Sequence, residues 1–405
     1  TVRRREESLQ DVPLSVSVIS EEEIQRQGIN SLSDVAQLTT GVILDEGFAP
    51  QDTRIVIRGL SPTRGRPNAA VLQDGIDISS EGITTAGGSL LINPRLVDIQ
   101  RVEVVKGPQS ALYGRSAFAG AINYVTQEPA AELSRKVSVQ IGSDGRYEGS
   151  VAVSGPVTDT LRLGINGATW SDDGFYRNAV TGGPVGGTEG SGWAGTALWQ
   201  PSDIARIRGR VEYSDDAFDP PTQATVIPTT TRPIPAAAVG VVVSSAITEV
   251  LVPLGVAPDG SRVTLSQSEN PRTGVDYDGT DRSVFRTSLI AEFELGNATL
   301  TSLTHYADAD TSQALDGQRK RSIRDLPVPG SATNNFAEIN LEQSTDLFSQ
   351  ELRYSWTGDG PVSWTAGALY WSEEADVRDL SLSCFVLPNL TCEPYVAAIG
   401  TTEPA

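Results

Sequence analysis

The sequence contains no methionine, one histidine and two cysteines in 405 residues, and each scarcity removes a class of chemistry. A lone His305 leaves little room for a His-based catalytic triad, and no serine sits in a nucleophile-elbow motif. Cys384 and Cys392 are too few for a zinc site, which takes about four ligands, and His305 is far from them in sequence. They read instead as a disulfide closing a short exposed loop, which suits an oxidising compartment. Asp308, Asp310 and Asp316 do not have the spacing of a calcium-binding loop and read as a solvated acidic loop. No catalytic residue, metal site or cofactor is expected.

Long apolar runs are also missing. No window of about 18 uncharged apolar residues exists, so no transmembrane helix can be drawn. The longest weakly polar stretch, residues 234–256, is broken by Pro235, Glu249 and Pro253. A membrane-spanning β-strand stays possible, because it needs only about 9–11 alternating residues. Basic residues are outnumbered, 31 Lys and Arg against 51 Asp and Glu for a net charge of −20. Nucleic acid is therefore not an expected partner. The missing methionine and signal peptide read as a chain that begins after a processing point, or as a fragment.

What is present divides into two regimes. Residues 1–130 read as a compact α/β unit. Leu14, Val16 and Val18 alternate as a strand; Ser20 and Glu23 have capping-box spacing for a helix that Gly28 ends. Asn30 or Ser31 opens a second helix through Leu38, ended by Gly41. Strands follow at 54–58, 69–73, 101–106 and 121–126. Asp74-Gly75 is a turn signal, and Asn93-Pro94 starts a short helical segment.

Residues 131–405 change to long period-2 segments, about nine in number. In 205–213, Ala205, Ile207, Val211 and Tyr213 oppose Arg206, Arg208, Arg210 and Glu212. Trp364, Ala366, Ala368 and Tyr370 share a face with aromatics at both ends, roughly 20 Å apart at about 3.3 Å per residue. That is near the separation of two interfacial aromatic girdles. A soluble sandwich also alternates, but its strands are about 5–6 residues long, whereas several here run to ten or more. Short turns at 142–146, 155–159, 201–203 and 296–297 alternate with long excursions at 171–191, 215–282 and 309–344. This asymmetry favours an outer-membrane barrel over a sandwich.

Five blocks are more specific. Thr1–Ile19 is followed in order by Arg54–Leu60 (RIVIRGL), Val71–Ile76 (VLQDGI), Val102–Arg115 (VEVVKGPQSALYGR) and Ala119–Thr126 (AGAINYVT). Together they resemble the plug domain of TonB-dependent outer-membrane receptors, and the resemblance they carry spans nearly all of residues 1–130. The resemblance implies an α/β plug followed by the first, antiparallel part of a 22-stranded transmembrane β-barrel that is incomplete in this chain. It implies a Gram-negative outer membrane, contact with outer-membrane lipid, and a TonB-type energy-coupling protein acting on the N-terminal segment. Import of a scarce extracellular ligand is the implied activity, a ferric siderophore first and cobalamin, haem or a glycan after it. A signalling receptor and a non-transporting surface protein stay open. The TonB box would lie mostly before Thr1.

By the same resemblance, ligand contacts fall in loops 45–52, 61–68 and 79–89, with Phe48, Arg64, Arg66 and Glu81 as candidates. Two solvated arginines in a turn would look the same as an anion site. Arg58, Glu103, Lys106 and Arg115 are candidates for locking the plug to the barrel wall. Ordinary solvated strand edges are the alternative for them.

Overall fold

The computed structural model describes residues 15–29, 31–46, 53–62, 67–80, 98–114, 116–174, 176–177, 183–220, 224–226, 250–252, 275–316, 335–358, 362–385 and 391–394. The N-terminal body contains β1 (Ser15–Ser20), α1 (Glu21–Gln27), α2 (Leu32–Leu38), β2 (Val42–Glu46), β3 (Thr53–Ile57), β4 (Ala69–Gln73), β5 (Ile76–Asp77), β6 (Ile99–Lys106), α3 (Ser110–Tyr113) and β7 (Gly120–Thr126). Five of these strands form one sheet in the order β1-β6-β7-β4-β5. β4 and β7 pair in parallel, and the other pairs are antiparallel.

Local chemistry sets the ends of both N-terminal helices. Ser20 accepts from the Glu23 N–H while the Glu23 carboxylate takes the Ser20 N–H, and Gly28 closes α1 at φ 65°. Ser31 and Asp34 repeat the device on α2, so Ser31 is the cap and Asn30 lies outside the described residues. These reciprocal bonds satisfy amides that a short helix leaves without intrahelical partners. The apolar faces of α1 and α2, through Ile24, Leu32, Val35 and Ala36, pack into a core with Val71, Val102, Val104, Ile122 and Tyr124. Gly120 is required where it stands: its φ is 154°, and an added Cβ would lie 2.3 Å from the Val105 carbonyl oxygen. The segment at Asn93-Pro94 lies outside the described residues.

The second body is one antiparallel sheet. Its strands are β8 (Ser134–Ile141), β9 (Tyr147–Pro156) and β10 (Leu161–Asp172); then, after the two-residue pair β11 (Tyr176–Arg177) and β12 (Pro184–Val185), β13 (Thr188–Ser202) and β14 (Ala205–Phe218). A separate short pair, β15 (Ala224–Val226) and β16 (Val250–Val252), precedes β17 (Gly279–Glu294), β18 (Ala298–Asp316), β19 (Asn335–Thr357) and β20 (Ser363–Asp379). The hairpin β21 (Leu382–Phe385) and β22 (Thr391–Pro394) continues along β19 beyond β20. Each long strand pairs with the next in sequence, and among the described residues the sheet does not close on itself.

The two faces of this sheet are inverted relative to a soluble protein. Register partners place Val137, Val151, Ile165, Trp193, Val211, Leu289, Leu352 and Tyr370 on one face, and all are exposed. The opposite face buries Arg208, Arg210, Asp216, Arg282, Arg286 and His305. Exposed apolar and buried charged side chains are what a lipid-facing wall around a polar interior requires. Aromatics band the outer face at two levels. The rings of Phe348 and Tyr370 lie 6.2 Å apart midway along β19 and β20, and those of Tyr354 and Trp364 lie 5.5 Å apart near the end where β19 leads into β20. The fold class is therefore an α/β plug followed by antiparallel barrel strands, as read from the sequence.

The strands run further than their alternation indicated. β13 begins at Thr188, β14 reaches Phe218, β17 begins at Gly279, β18 reaches Asp316 and β19 begins at Asn335. The excursions expected at 171–191, 215–282 and 309–344 are shortened accordingly. Asp308 and Asp310 lie on β18 paired with β19, not in a loop. Beyond the lipid zone both faces of a strand meet water or polar contents, so polar residues such as Asp215, Asp308 and Asp310 replace the apolar half of the pattern. By chain direction, the 142–146 turn sits at the end of the wall that carries the long connections.

Candidate functional site

The polar interior face of the wall meets the α/β body along a seam centred on β14. Arg206, Arg208, Arg210 and Glu212 alternate along β14 and so project to the same side. Arg210 reaches both carboxylate oxygens of Asp98, at 2.5 and 2.9 Å, and also contacts Glu212 at 2.8 Å and Thr196 at 3.1 Å. Asp98 takes a further bond of 2.8 Å from Asn166 on β10. Arg208 lies 2.9 Å from Asp74 and donates to the Thr126 hydroxyl. Arg206 pairs with Glu128, which follows β7, and with Glu292 at 3.0 Å.

Glu212 extends the seam to the next strand. It accepts from Gln73 of the plug at 2.8 Å and from Arg286 of β17 at 3.1 Å. The Arg208, Arg210 and Arg286 side chains are 6–8% exposed, and Asp74, Asp98 and Glu212 are 6–14% exposed. Charges so sheltered hold firmly only when each is matched, and here each arginine faces a carboxylate. The N-terminal end of the plug is held differently. Glu21 of α1 reaches Lys136 of β8 at 3.1 Å, but both side chains are at least 40% exposed.

Small cavities remain within the seam. One of about 50 Å³ is lined by Gln73, Asp98, Tyr124, Trp170, Arg210 and Glu212 among others. Another of about 10 Å³ is lined by Gln73, Arg210, Glu212, Arg286, Ser288 and His305 among others. Among the described residues the buried Tyr124 hydroxyl and both His305 ring nitrogens have no hydrogen-bond partner. Polar spaces of these sizes can hold one or a few waters. Burial pushes the Tyr124 phenol well above its ordinary value and keeps it neutral.

Phe48, Arg64, Arg66, Glu81 and Arg115 lie outside the described residues. Glu103 is buried on β6, with Arg101 at 2.8 Å and Asn123 at 3.1 Å, both plug residues. Arg58 is exposed at φ 52°, and its N–H donates to the Gly41 carbonyl. Lys106 is half-buried at the end of β6, paired in register with Ser15 and Gly120. Cys384 and Cys392 are direct register partners of β21 and β22; their side chains lie outside the described residues. Sequence reasoning missed Asp98, and it read Asp74 only as part of a turn. The available signal was the arginine trio on one face of β14, which requires matching carboxylates inside a barrel.

Residues 8–121 match the family model for the TonB-dependent Receptor Plug Domain. The chain is similar to the vitamin B12 transporter BtuB of Vibrio vulnificus, 32% identical over 176 residues that make up 43% of this chain and 28% of that protein. It is also similar to the pesticin receptor of Yersinia enterocolitica, 30% identical over 182 residues, 44% of this chain and 26% of that protein. In fold it resembles the ferric yersiniabactin uptake receptor FyuA of Yersinia pestis, with a TM-score of 0.65, 19% identity, and coverage of 93% of this chain and 50% of that one. The ferripyoverdine receptor of Pseudomonas aeruginosa, solved with ferripyoverdine bound, gives 0.62 and 17%, covering 96% of this chain and 46% of that one. The chain thus spans about half the length of these solved receptors and little more than a quarter of the curated relatives.

Proposed function

We propose that this chain, the plug and the barrel strands that follow it in a TonB-dependent receptor of the Gram-negative outer membrane, is the gate and part of the wall of a ligand importer. The observation that carries the reading is the seam. An α/β body is clamped by buried ion pairs to the inner face of a wall whose outer face is apolar. A plug so held closes the pore at rest and can be released by work done on it from the periplasmic side, through a TonB-type partner at the N-terminal segment. Breaking matched charges requires that work, because each ion left unmatched in a sheltered site is costly. Residues 1–130 form the gate in this reading, and 131–405 supply wall strands.

A ferric siderophore is the proposed cargo, bound from outside by the loops at 45–52, 61–68 and 79–89 with Phe48, Arg64, Arg66 and Glu81. Arginine suits an anionic chelate because its planar fork matches carboxylate-like oxygens. The ferripyoverdine receptor among the structural neighbours supports a ferric siderophore, and the vitamin B12 transporter among the relatives supports cobalamin as the alternative. Source cells grown with and without iron, then assayed for transcript of this locus and for uptake of labelled ferric siderophores and cyanocobalamin, decide between them. Induction by iron starvation with siderophore uptake is expected. Uptake of cyanocobalamin without iron response would move the cargo to cobalamin. Unchanged uptake of both after deletion of residues 1–130 would refute import and favour a non-transporting surface protein.

A further inference from the structure

The Asp74–Gly75 turn that meets Arg208 is itself held from inside the plug. Asp74 and Gly75 have φ of 52° and 84°, the left-handed pair that a two-residue hairpin loop between β4 and β5 needs. Glycine adopts this readily; aspartate does so at a cost, so the turn needs support. The Asp74 N–H donates to the Tyr124 carbonyl at 2.8 Å. The Asp74 carboxylate takes the Thr126 N–H and hydroxyl at 2.9 and 2.8 Å, beside its contact with Arg208. The Gly75 N–H donates to Asn123 Oδ1 at 3.0 Å.

Asn123 carries the contact inward. Its amide nitrogen donates to Glu103 Oε2 at 3.1 Å, and Glu103 Oε1 accepts from Arg101 Nε at 2.8 Å. Asn123 and Glu103 are only 4% and 3% exposed. Position 123 must therefore accept on one side and donate on the other, which a side-chain amide does and an ionised carboxylate of the same size does not. A buried carboxylate such as Glu103 in turn needs donors around it. The far end of the relay lies beside the N-terminal strand, since Glu103 and Arg101 are the register partners of Val18 and Ser20 on β1.

We propose that Asn123 and Glu103 are positioning residues for the plug latch: they hold the Asp74–Gly75 turn in the geometry that presents Asp74 to Arg208. In this role they act through the turn. The inference rests on the plug being the gate, and it adds which interior residues set how firmly the gate is seated.

The test uses the complete receptor in planar lipid bilayers, with ion conductance as the probe, so no cargo is needed. Asn123→Asp keeps the size and the acceptor for Gly75, removes the donor and sets a second carboxylate against Glu103. It should raise the open fraction roughly tenfold, the equivalent of about 1.4 kcal/mol. Adding Glu103→Gln supplies a donor facing the new carboxylate, and the double variant should return close to the parent. A merely structural role for Asn123 predicts a double variant at least as leaky as the single. The proposal is overturned if Asn123→Asp is as tight as the parent, or if the double variant leaks as much as Asn123→Asp. Should Asn123→Asp not reach the membrane, Asn123→Ser removes the amide without adding charge; leak supports the relay and tightness overturns it. A receptor lacking residues 1–130 is run alongside. If that deletion does not conduct, the gate reading itself fails, independently of the relay.

Discussion

Replacing Arg210 with leucine separates a clamp from a decorated interface. Among the described residues Arg210 is the only cation on Asp98, whose carboxylate would then keep the 2.8 Å bond from Asn166. Glu212 would keep Gln73 and Arg286. Removing one partner of a sheltered ion pair costs about 3–5 kcal/mol, mostly through the charge left behind. Lys136→Ala is the internal comparison. Its pair with Glu21 is widely exposed, and such pairs contribute about 0–1 kcal/mol. If plug release in urea has a slope of about 2 kcal/mol/M, as for a small domain, Arg210→Leu lowers its midpoint by roughly 1.5–2.5 M and Lys136→Ala by at most about 0.5 M.

The assay is urea-dependent ion conductance of the complete receptor in bilayers. Adding Asp98→Asn to Arg210→Leu removes the orphaned charge, so the double variant should recover part of the loss. Equal midpoint shifts for Arg210→Leu and Lys136→Ala would refute the reasoning. So would a double variant that is simply the sum of its parts.

Other predictions follow from the same geometry. The Ser20 N–H, and then the Ser20 hydroxyl, hold the Glu23 carboxyl below its ordinary value of 4.5. A group lowered on folding stabilises above its unfolded pKa and loses that contribution as pH falls through the folded value. Protection of the α1 amides from hydrogen exchange, corrected for intrinsic rates, should therefore decline below about pH 4.5; a Glu23→Gln variant showing the same decline would contradict this. Cys384 and Cys392, opposite each other in register, are expected to lose their thiol hydrogens to a disulfide-exchange oxidant of the periplasm and form one bond. Peptide mass mapping without reductant should find them joined, and alkylation of both as free thiols would count against it. Arg64→Ala and Arg66→Ala should each weaken binding of ferric siderophores by the complete receptor about tenfold or more, with cyanocobalamin as the neutral comparison, on the scale of a lost charged hydrogen bond. Unchanged affinity in both would remove those residues from the site.

How far the sequence carried depended on what each residue had to satisfy locally. The capping pair Ser20–Glu23 and the Asp74-Gly75 turn were legible because their chemistry is complete within four residues, whereas the start of the second helix stayed open between Asn30 and Ser31 until the Ser31–Asp34 pair was seen. The wall was legible where lipid dictates one face, as with Val211 and Tyr213 against Arg210 and Glu212. It ceased to be legible above the aromatic band, where Asp215, Asp308 and Asp310 are still in strands but no longer face hydrocarbon.

Asp98 was invisible for a different reason. Its partner Arg210 lies 112 residues away in sequence, and nothing near Asp98 marks it as paired. Yet the partner's own pattern carried half of the information. Arginines at alternate positions of a barrel strand cannot face lipid cheaply, and inside a lumen they need anions that the wall strand itself does not supply in sufficient number. Glu212 is one such anion on β14. The others had to come from outside the strand, and the plug is the body that fills the space. The polarity of the seam, wall cations on plug carboxylates, follows from that shortage. Reversing the pair as Asp98→Arg with Arg210→Asp would test it. Each single reversal sets like charges about 3 Å apart, with a cost of several kcal/mol at an effective dielectric near 20, while the double restores attraction. Seating recovered in the double, read as conductance returning toward the closed parent, identifies charge complementarity as the cause. A double as open as its singles would assign the seam to the shape and hydrogen-bond geometry of an arginine that must sit on the wall.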